Sequence, residues 1–151
     1  MKLEEIYIHL FDRGYMSGIE RESTRVRETA ECFTPTWLVE KRLDTIDSSE
    51  FTNPIKTFLD PSCGDGQFLA SVLYRKLQNG IDFETALSTI YGVEFMEDNV
   101  EETRTRLLCG REDLRHIVER NIVCHDALTY DYSFNGTNKN NDELAFDSLF
   151  D

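Results

Sequence analysis

Apolar positions recur at helical spacing at the start of the chain. They predict an amphipathic helix over residues 3–12, with Leu3, Ile6, Tyr7, Leu10 and Phe11 on its buried side. Residues 13–31 are polar and predict a loop or a short irregular helix. Thr34 followed by Pro35 is typical of a helix start, and residues 44–54 predict a polar connection.

From residue 56 onward, short apolar runs alternate with helical patterns. The runs predict strands over 56–60, 89–94, 121–124 and 145–150. The segments between them predict helices over 66–79, 82–88, 97–109 and 112–119, and residues 135–142 read as an exposed loop. Alternation of this kind is typical of an α/β protein with a parallel sheet covered by helices.

The amino-acid composition is typical of an intracellular globular protein. At 151 residues, 40% hydrophobic and 30% charged, the chain is expected to be one intracellular globular domain. No apolar run approaches membrane-spanning length, and the N-terminus lacks the pattern of a signal peptide, so we expect a cytoplasmic protein of a bacterium or a phage-infected host. The four cysteines never form C-x-x-C, which favours free thiols over structural zinc.

The net charge argues against direct binding of duplex DNA. Twenty-nine acidic side chains against sixteen Lys and Arg give a formal charge of −13, which repels a polyanion. The nearest basic segment carries Arg13, Arg21, Arg25 and Arg27, but glutamates are interleaved with them. A solvated, salt-bridged segment is therefore favoured there over a DNA-binding arm.

The segment from Phe58 to Leu69, Phe-Leu-Asp-Pro-Ser-Cys-Gly-Asp-Gly-Gln-Phe-Leu, carries the main candidate chemistry. A strand ending in Asp60 leads through a loop with two glycines into a helix, an arrangement that brings backbone close to a nucleotide-like ligand. The dinucleotide pattern G-x-G-x-x-G would need a third glycine where Leu69 stands, which disfavours NAD.

Two later strands also end in acidic residues. Glu94 ends one of them and is followed by Phe95, and a carboxylate in this place can accept both hydroxyls of a ribose. Asp126 and Ala127 follow the next strand. His125 beside them has no partner at ligand spacing, so it is interpreted as an incidental strand-end histidine.

Asp-Pro-Ser-Cys-Gly-x-Gly-x-Phe closely resembles motif I of the gamma-type adenine-N6 DNA methyltransferases. Glu31-Cys32-Phe33-Thr34-Pro35, Ile90 to Phe95, and Asn121 to Leu128 resemble motifs X, II and III of that family, in the family's order, over about residues 28–128. The resemblance implies a Rossmann-like fold that binds S-adenosylmethionine (SAM), with a truncated parallel sheet of about three to four strands flanked by helices. The cofactor-binding residues it implies are Thr34, Pro35, Asp60, Ser62, Gly64, Gly66, Glu94, Phe95, Asp126 and Ala127.

The resemblance also implies a role for most of these residues. Thr34 and Pro35 belong to a loop and helix start that close over the methionine end of SAM. Asp60 would sit beside the methionine amino group, and Gly64 and Gly66 would let the backbone approach. Glu94 would bind the ribose hydroxyls, and Phe95 or Met96 would flank the adenine. Asp126 would accept a hydrogen bond from the exocyclic amine, while the next backbone N–H serves a ring nitrogen.

The family's catalytic string, Asn/Asp-Pro-Pro-Tyr/Phe, does not occur in these residues, so no catalytic residue is assigned. One reading is the SAM-binding part of an adenine methyltransferase, spanning 31–151 after an N-terminal segment 1–30, and reaching DNA only through a completing subunit or missing region. Another is a non-catalytic SAM-binding or protein-interaction module, such as a phage or mobile-element remnant. A methyltransferase with an unrecognised acceptor site comes third. An uncovered strand over 145–150 would favour a homodimer through the C-terminal edge, or a disordered tail.

Overall fold

The computed structural model describes residues 1–12 and 34–136, which form helices around a small sheet. The helices are α1 (Leu3–Phe11), α2 (Thr36–Leu43), α3 (Ser49–Thr52), α4 (Gln67–Gln78), α5 (Phe83–Ser88), α6 (Glu97–Leu108) and α7 (Arg115–Asn121). The strands are β1 (Phe58–Asp60), β2 (Ile90–Glu94) and β3 (Ile122–Cys124), and a 3-10 turn over Glu112–Leu114 precedes α7.

The three strands pair in the order β1-β2-β3, and both pairs are parallel. Asp60 lies opposite Gly92, and Glu94 lies opposite Cys124. The predicted α/β architecture with a parallel sheet is therefore confirmed. Parallel pairing brings the carboxyl ends of all three strands to one edge of the sheet, which is where α/β proteins bind ligands.

The main core lies between the sheet and the helices on one of its faces. Ile90 and Ile122 point into it from the strands, and Leu73 of α4 and Leu107 of α6 meet them, all at most 1% exposed. Leu10 of α1 belongs to the same core, so the N-terminal helix packs with the rest of the described chain. Burying these aliphatic side chains is the main force that holds the strands in register.

A smaller aromatic layer packs on side chains that alternate with those facing the main core. Tyr130 and Phe134 cover Val93 and Val123 there, with the two rings 5.2 Å apart in an edge-to-face arrangement. The Tyr130 hydroxyl also accepts a hydrogen bond from the backbone N–H of Phe134 at 2.8 Å. The segment after β3 is therefore held against the sheet, and this fixes the position of the strand-end residues that precede it.

The predicted helices over 66–79, 82–88 and 97–109 are confirmed to within one residue at each end. The predicted helix over 112–119 is instead the 3-10 turn followed by α7. The predictions for residues 13–31 and for a strand over 145–150 lie outside the described residues, as does most of the loop predicted over 135–142. Within the ranges 1–12 and 34–136, no helix combines the length and the apolar character needed to cross a bilayer.

The prediction of a polar connection over residues 44–54 is wrong. Helix α3 forms there, and its Phe51 is only 3% exposed. The Phe51 ring stacks on Phe58 of β1 with the centroids 5.2 Å apart, and the Arg75 guanidinium lies over the Phe51 ring, 5.3 Å from its centroid. A single aromatic residue in a polar stretch produces no periodic pattern, so the packing of Phe51 that stabilises this helix could not be predicted from periodicity.

Candidate functional site

The loop between β1 and α4, which we call the glycine loop (residues 61–66), crosses the carboxyl end of β2. Gly64 and Gly66 have φ values of 56° and 96°, a left-handed backbone conformation that residues with a Cβ rarely adopt. The backbone N–H of Cys63 donates to the carbonyl of Val93 at 3.0 Å. Gly66 is the N-cap of α4, so the loop connects the carboxyl end of β1 directly to the start of that helix.

Gly92 of β2 permits this close crossing. A Cβ added at Gly92 would lie 2.9 Å from both Cys63 Sγ and Leu69 Cδ1, closer than van der Waals contact allows. Both neighbours are buried. Sequence reasoning did not single out this glycine, although a glycine inside a strand pattern often marks a close backbone approach.

Residues from all three strand ends line one open cleft of about 390 Å³. This volume lies within the range of roughly 300–1,000 Å³ that is typical of small-molecule sites. Five of the predicted site residues line the cleft: Ser62, Glu94, Phe95, Asp126 and Ala127. Pro61 and His125, which the prediction left out, also line it.

Glu94 is held at both its backbone and its side chain. Its carbonyl accepts a hydrogen bond from the backbone N–H of His125 at 3.0 Å, and its Oε2 accepts one from Asn99 Nδ2 at 2.9 Å. Asn99 belongs to the first turn of α6 and is fully buried. The neighbouring Phe95 is 70% exposed, so its ring offers an apolar surface at the cleft.

Asp126 begins the turn that follows β3. Its side chain is exposed, and its Oδ1 accepts a hydrogen bond from the backbone N–H of Leu128 at 2.9 Å. This bond orients the carboxylate and shapes the backbone through Ala127. Asp126 and Ala127 therefore form the wall of the cleft that comes from β3.

His125, the strand-end histidine without a partner at ligand spacing, lies in the cleft wall. It is only 8% exposed and its ring lies 5.0 Å from that of Tyr130. Its Nδ1 is 2.9 Å from the carbonyl of Asp126. Among residues 1–12 and 34–136, no group of His, Cys, Asp and Glu has a geometry that could hold a metal ion.

Asp60, another predicted site residue, lies at the end of β1 beside the cleft rather than in its lining. It lines a neighbouring, mostly apolar groove of about 340 Å³ together with Phe68 of α4. Its Oδ1 accepts a hydrogen bond from the backbone N–H of Ser62 at 3.0 Å. Burial raises the pKa of Asp60, and the Ser62 N–H offsets only part of that rise.

Thr34 and Pro35 are brought next to the end of the glycine loop. The Thr34 carbonyl accepts a hydrogen bond from Gln67 Nε2 at 2.5 Å, and Gln67 directly follows Gly66. Pro35 is the N-cap of α2, so this helix begins one residue later than the Thr34–Pro35 pattern predicts. The preceding residues 31–33, which complete the motif X resemblance, lie outside the described residues.

The charge of the site favours a cationic ligand. Glu94 and Asp126 carry carboxylates into the cleft, and none of the described residues that line it is a lysine or arginine. Cys63 adds no charge, because burial and the nearby carboxylates of Asp60 and Glu94 hold the pKa of its thiol well above its usual range. A thiol that stays protonated packs as a small apolar group and is a poor nucleophile.

A scan against protein-family models, a search of curated proteins and a search of solved structures each found no match to this chain. The proposed function therefore depends on the motifs of the sequence and on the chemistry of the cleft.

Proposed function

We propose that this chain binds SAM in a Rossmann-like fold and is the SAM-binding part of an adenine-specific N6 DNA methyltransferase. The observation that carries the proposal is the convergence of residues 61–62, 94–95 and 126–127 in one cleft. These pairs come from three motifs that are far apart in the sequence and resemble, in order, the motifs of one SAM-binding family. No catalytic residue is proposed, because Asn/Asp-Pro-Pro-Tyr/Phe is absent from the 151 residues.

The ribose is assigned to Glu94. A carboxylate at the carboxyl end of a parallel strand is the usual acceptor for ribose hydroxyls in α/β nucleotide sites. Its side chain is anchored through Oε2 by Asn99, which orients the carboxylate before any ligand arrives.

The adenine is assigned to the space beside Phe95, Asp126 and Ala127. The exposed ring of Phe95 can stack on a base, and the Asp126 carboxylate can accept a hydrogen bond from an exocyclic amine. The next backbone N–H, at Ala127, is the donor for a ring nitrogen. This arrangement distinguishes adenine by both its donor and its acceptor.

The methionine end is assigned to the glycine loop and the residues around it. SAM carries positive charge on its sulfonium and amino groups, which suits the carboxylates of Asp60, Glu94 and Asp126. The positive N-terminal end of α2, which follows Thr34 and the N-cap Pro35, suits the ligand carboxylate. NAD is disfavoured because the third glycine of its pattern is replaced by Leu69, which is buried in the core.

Isothermal titration calorimetry with SAM, S-adenosylhomocysteine and NAD tests the proposal. We expect heat from SAM and S-adenosylhomocysteine and little from NAD. Glu94→Gln should weaken binding by about 1–3 kcal/mol, because a neutral amide is a poorer acceptor for two hydroxyls. Glu84→Gln, an exposed glutamate at the start of α5, is the matched control and should leave affinity unchanged. A folded wild-type protein that gives no heat with either SAM or S-adenosylhomocysteine would contradict the proposal.

Methyl transfer is tested separately, with tritium-labelled SAM and unmethylated DNA. The purified chain alone should transfer no label, and transfer should appear only when a polypeptide that supplies the acceptor motif is added. Transfer by the chain alone would show that it has an acceptor site of another kind. Binding of SAM without transfer under any of these conditions would favour the non-catalytic module.

A further inference from the structure

Three polar side chains of helix α6 are fully buried, where an amphipathic pattern would place apolar ones. Asn99, Thr103 and Arg106 are spaced four and three residues apart, so they lie one above another on the helix. All three are 0% exposed. Burying a polar side chain is unfavourable unless it forms hydrogen bonds, so the partners of these three indicate what they do.

Each of the three side chains forms a hydrogen bond to the end of β2 or to the glycine loop. Asn99 Nδ2 donates to Glu94 Oε2 at 2.9 Å, at the end of β2. Thr103 Oγ1 donates to the carbonyl of Gly64 at 2.9 Å, in the middle of the glycine loop. Arg106 Nη1 donates to the carbonyl of Asp65 at 3.2 Å, and its Nε donates to the carbonyl of Leu10 in α1 at 2.6 Å.

We infer that Asn99, Thr103 and Arg106, which we call the α6 polar row, are positioning residues for the ligand. This inference rests on the proposed SAM site, which it extends to residues that do not touch the cleft. Asn99 holds the Glu94 carboxylate in the orientation that meets the ribose hydroxyls. Thr103 and Arg106 hold the glycine loop at the distance from the sheet that the rest of the ligand requires.

The two kinds of contact predict different effects on ligand selectivity. Asn99 acts through the carboxylate of Glu94 alone. Removing the Asn99 amide should therefore lower the affinity only for a ligand with ribose hydroxyls. Thr103 acts through the backbone of the glycine loop, so its loss should matter whether or not the hydroxyls are present. A side chain that merely supports the fold would not separate the two ligands in this way.

The test compares S-adenosylhomocysteine with its 2′,3′-dideoxy counterpart. Affinities are measured by NMR chemical-shift titration, and the same spectra show whether each variant is folded. The variants are Asn99→Leu and Thr103→Val, which preserve approximate volume and remove the hydrogen-bond donor. If Asn99→Leu does not fold, Asn99→Ser is measured with the same two probes.

Two buried residues far from the cleft provide matched controls. Asn121 is 1% exposed, and its Nδ2 donates to the carbonyl of Ser88 at 3.1 Å. Thr89 is 9% exposed, and its Oγ1 donates to the carbonyl of Ala86 at 2.9 Å. Both lie near the amino ends of the strands, so Asn121→Leu and Thr89→Val should leave both affinities unchanged.

We expect Asn99→Leu to lower the affinity for S-adenosylhomocysteine roughly tenfold and the affinity for the dideoxy counterpart less than about twofold. Thr103→Val should lower the affinity for both probes by a similar factor. Unchanged affinity for S-adenosylhomocysteine in the Asn99 variant, or equal losses for both probes, would overturn the role assigned to Asn99 while leaving the proposed function in place. A wild-type chain that binds neither probe would overturn the proposed function and this inference with it.

Discussion

Replacing Gly92 by alanine should destabilise the protein through one well-defined overlap. The new Cβ would lie 2.9 Å from Cys63 Sγ and from Leu69 Cδ1, and 3.1 Å from Cys63 Cβ. Neither neighbour can move freely. Leu69 is 1% exposed within the core, and the backbone of Cys63 is hydrogen-bonded to Val93. The overlap must therefore be relieved by displacing the glycine loop from β2.

The magnitude follows from two opposing effects. Overpacking a tight core costs about 1–3 kcal/mol. Replacing a glycine in a strand by alanine stabilises the folded state by about 0.5–1 kcal/mol, because the unfolded chain has less conformational entropy to lose. A net loss of roughly 1–2 kcal/mol remains, which corresponds to a fall in Tm of about 2–8 °C for a chain of this length.

Urea denaturation followed by far-ultraviolet circular dichroism measures this loss as a lower midpoint with an unchanged m-value. Adding Cys63→Ala removes the Sγ atom, so the double variant should lose less stability than the sum of the two single variants. Gly80→Ala is a control without a packing overlap: no atom lies within 4 Å of its added Cβ, and its cost comes from a φ of 86° that alanine rarely adopts. Its cost should not depend on Cys63. A Gly92→Ala protein as stable as the wild type, or losses that simply add with those of Cys63→Ala, would refute the reasoning.

Two further predictions concern stability. Because burial raises the pKa of Asp60 in the folded state, the contribution of this one group to stability should fall as the pH rises from about 3.8 through the folded pKa. Asp60→Asn keeps an acceptor for the Ser62 N–H, so it should exceed the wild type in urea melts at pH 7 and match it near pH 3; equal stability at both pH values would contradict this. Phe51→Ala should cost about 3–5 kcal/mol by removing the ring stacked on Phe58, and a loss below about 1 kcal/mol would show that α3 contributes little to the core.

Local sequence patterns were enough to predict the strands, most of the helices and much of the cleft lining. Alternating apolar runs and helical patterns are local signals, and they predict a parallel sheet without knowledge of any contact. Once the strands are parallel, their carboxyl ends must share one edge, so Ser62, Glu94 and Asp126 could be expected to meet. The cleft confirms that these residues come together, while their ligand remains a proposal.

The other residues that support the site could be identified only from the packing of the folded chain. Asn99 reads as an ordinary helix residue until Glu94 is found against its side chain, and Gly92 reads as a weak strand residue until Cys63 is found above it. Asp60 shares its motif with Ser62 but lines the neighbouring groove. In each case the outcome depends on the distance between two residues that the local sequence pattern does not relate to each other. Periodicity encodes which face of an element is buried, and packing alone decides what that face meets.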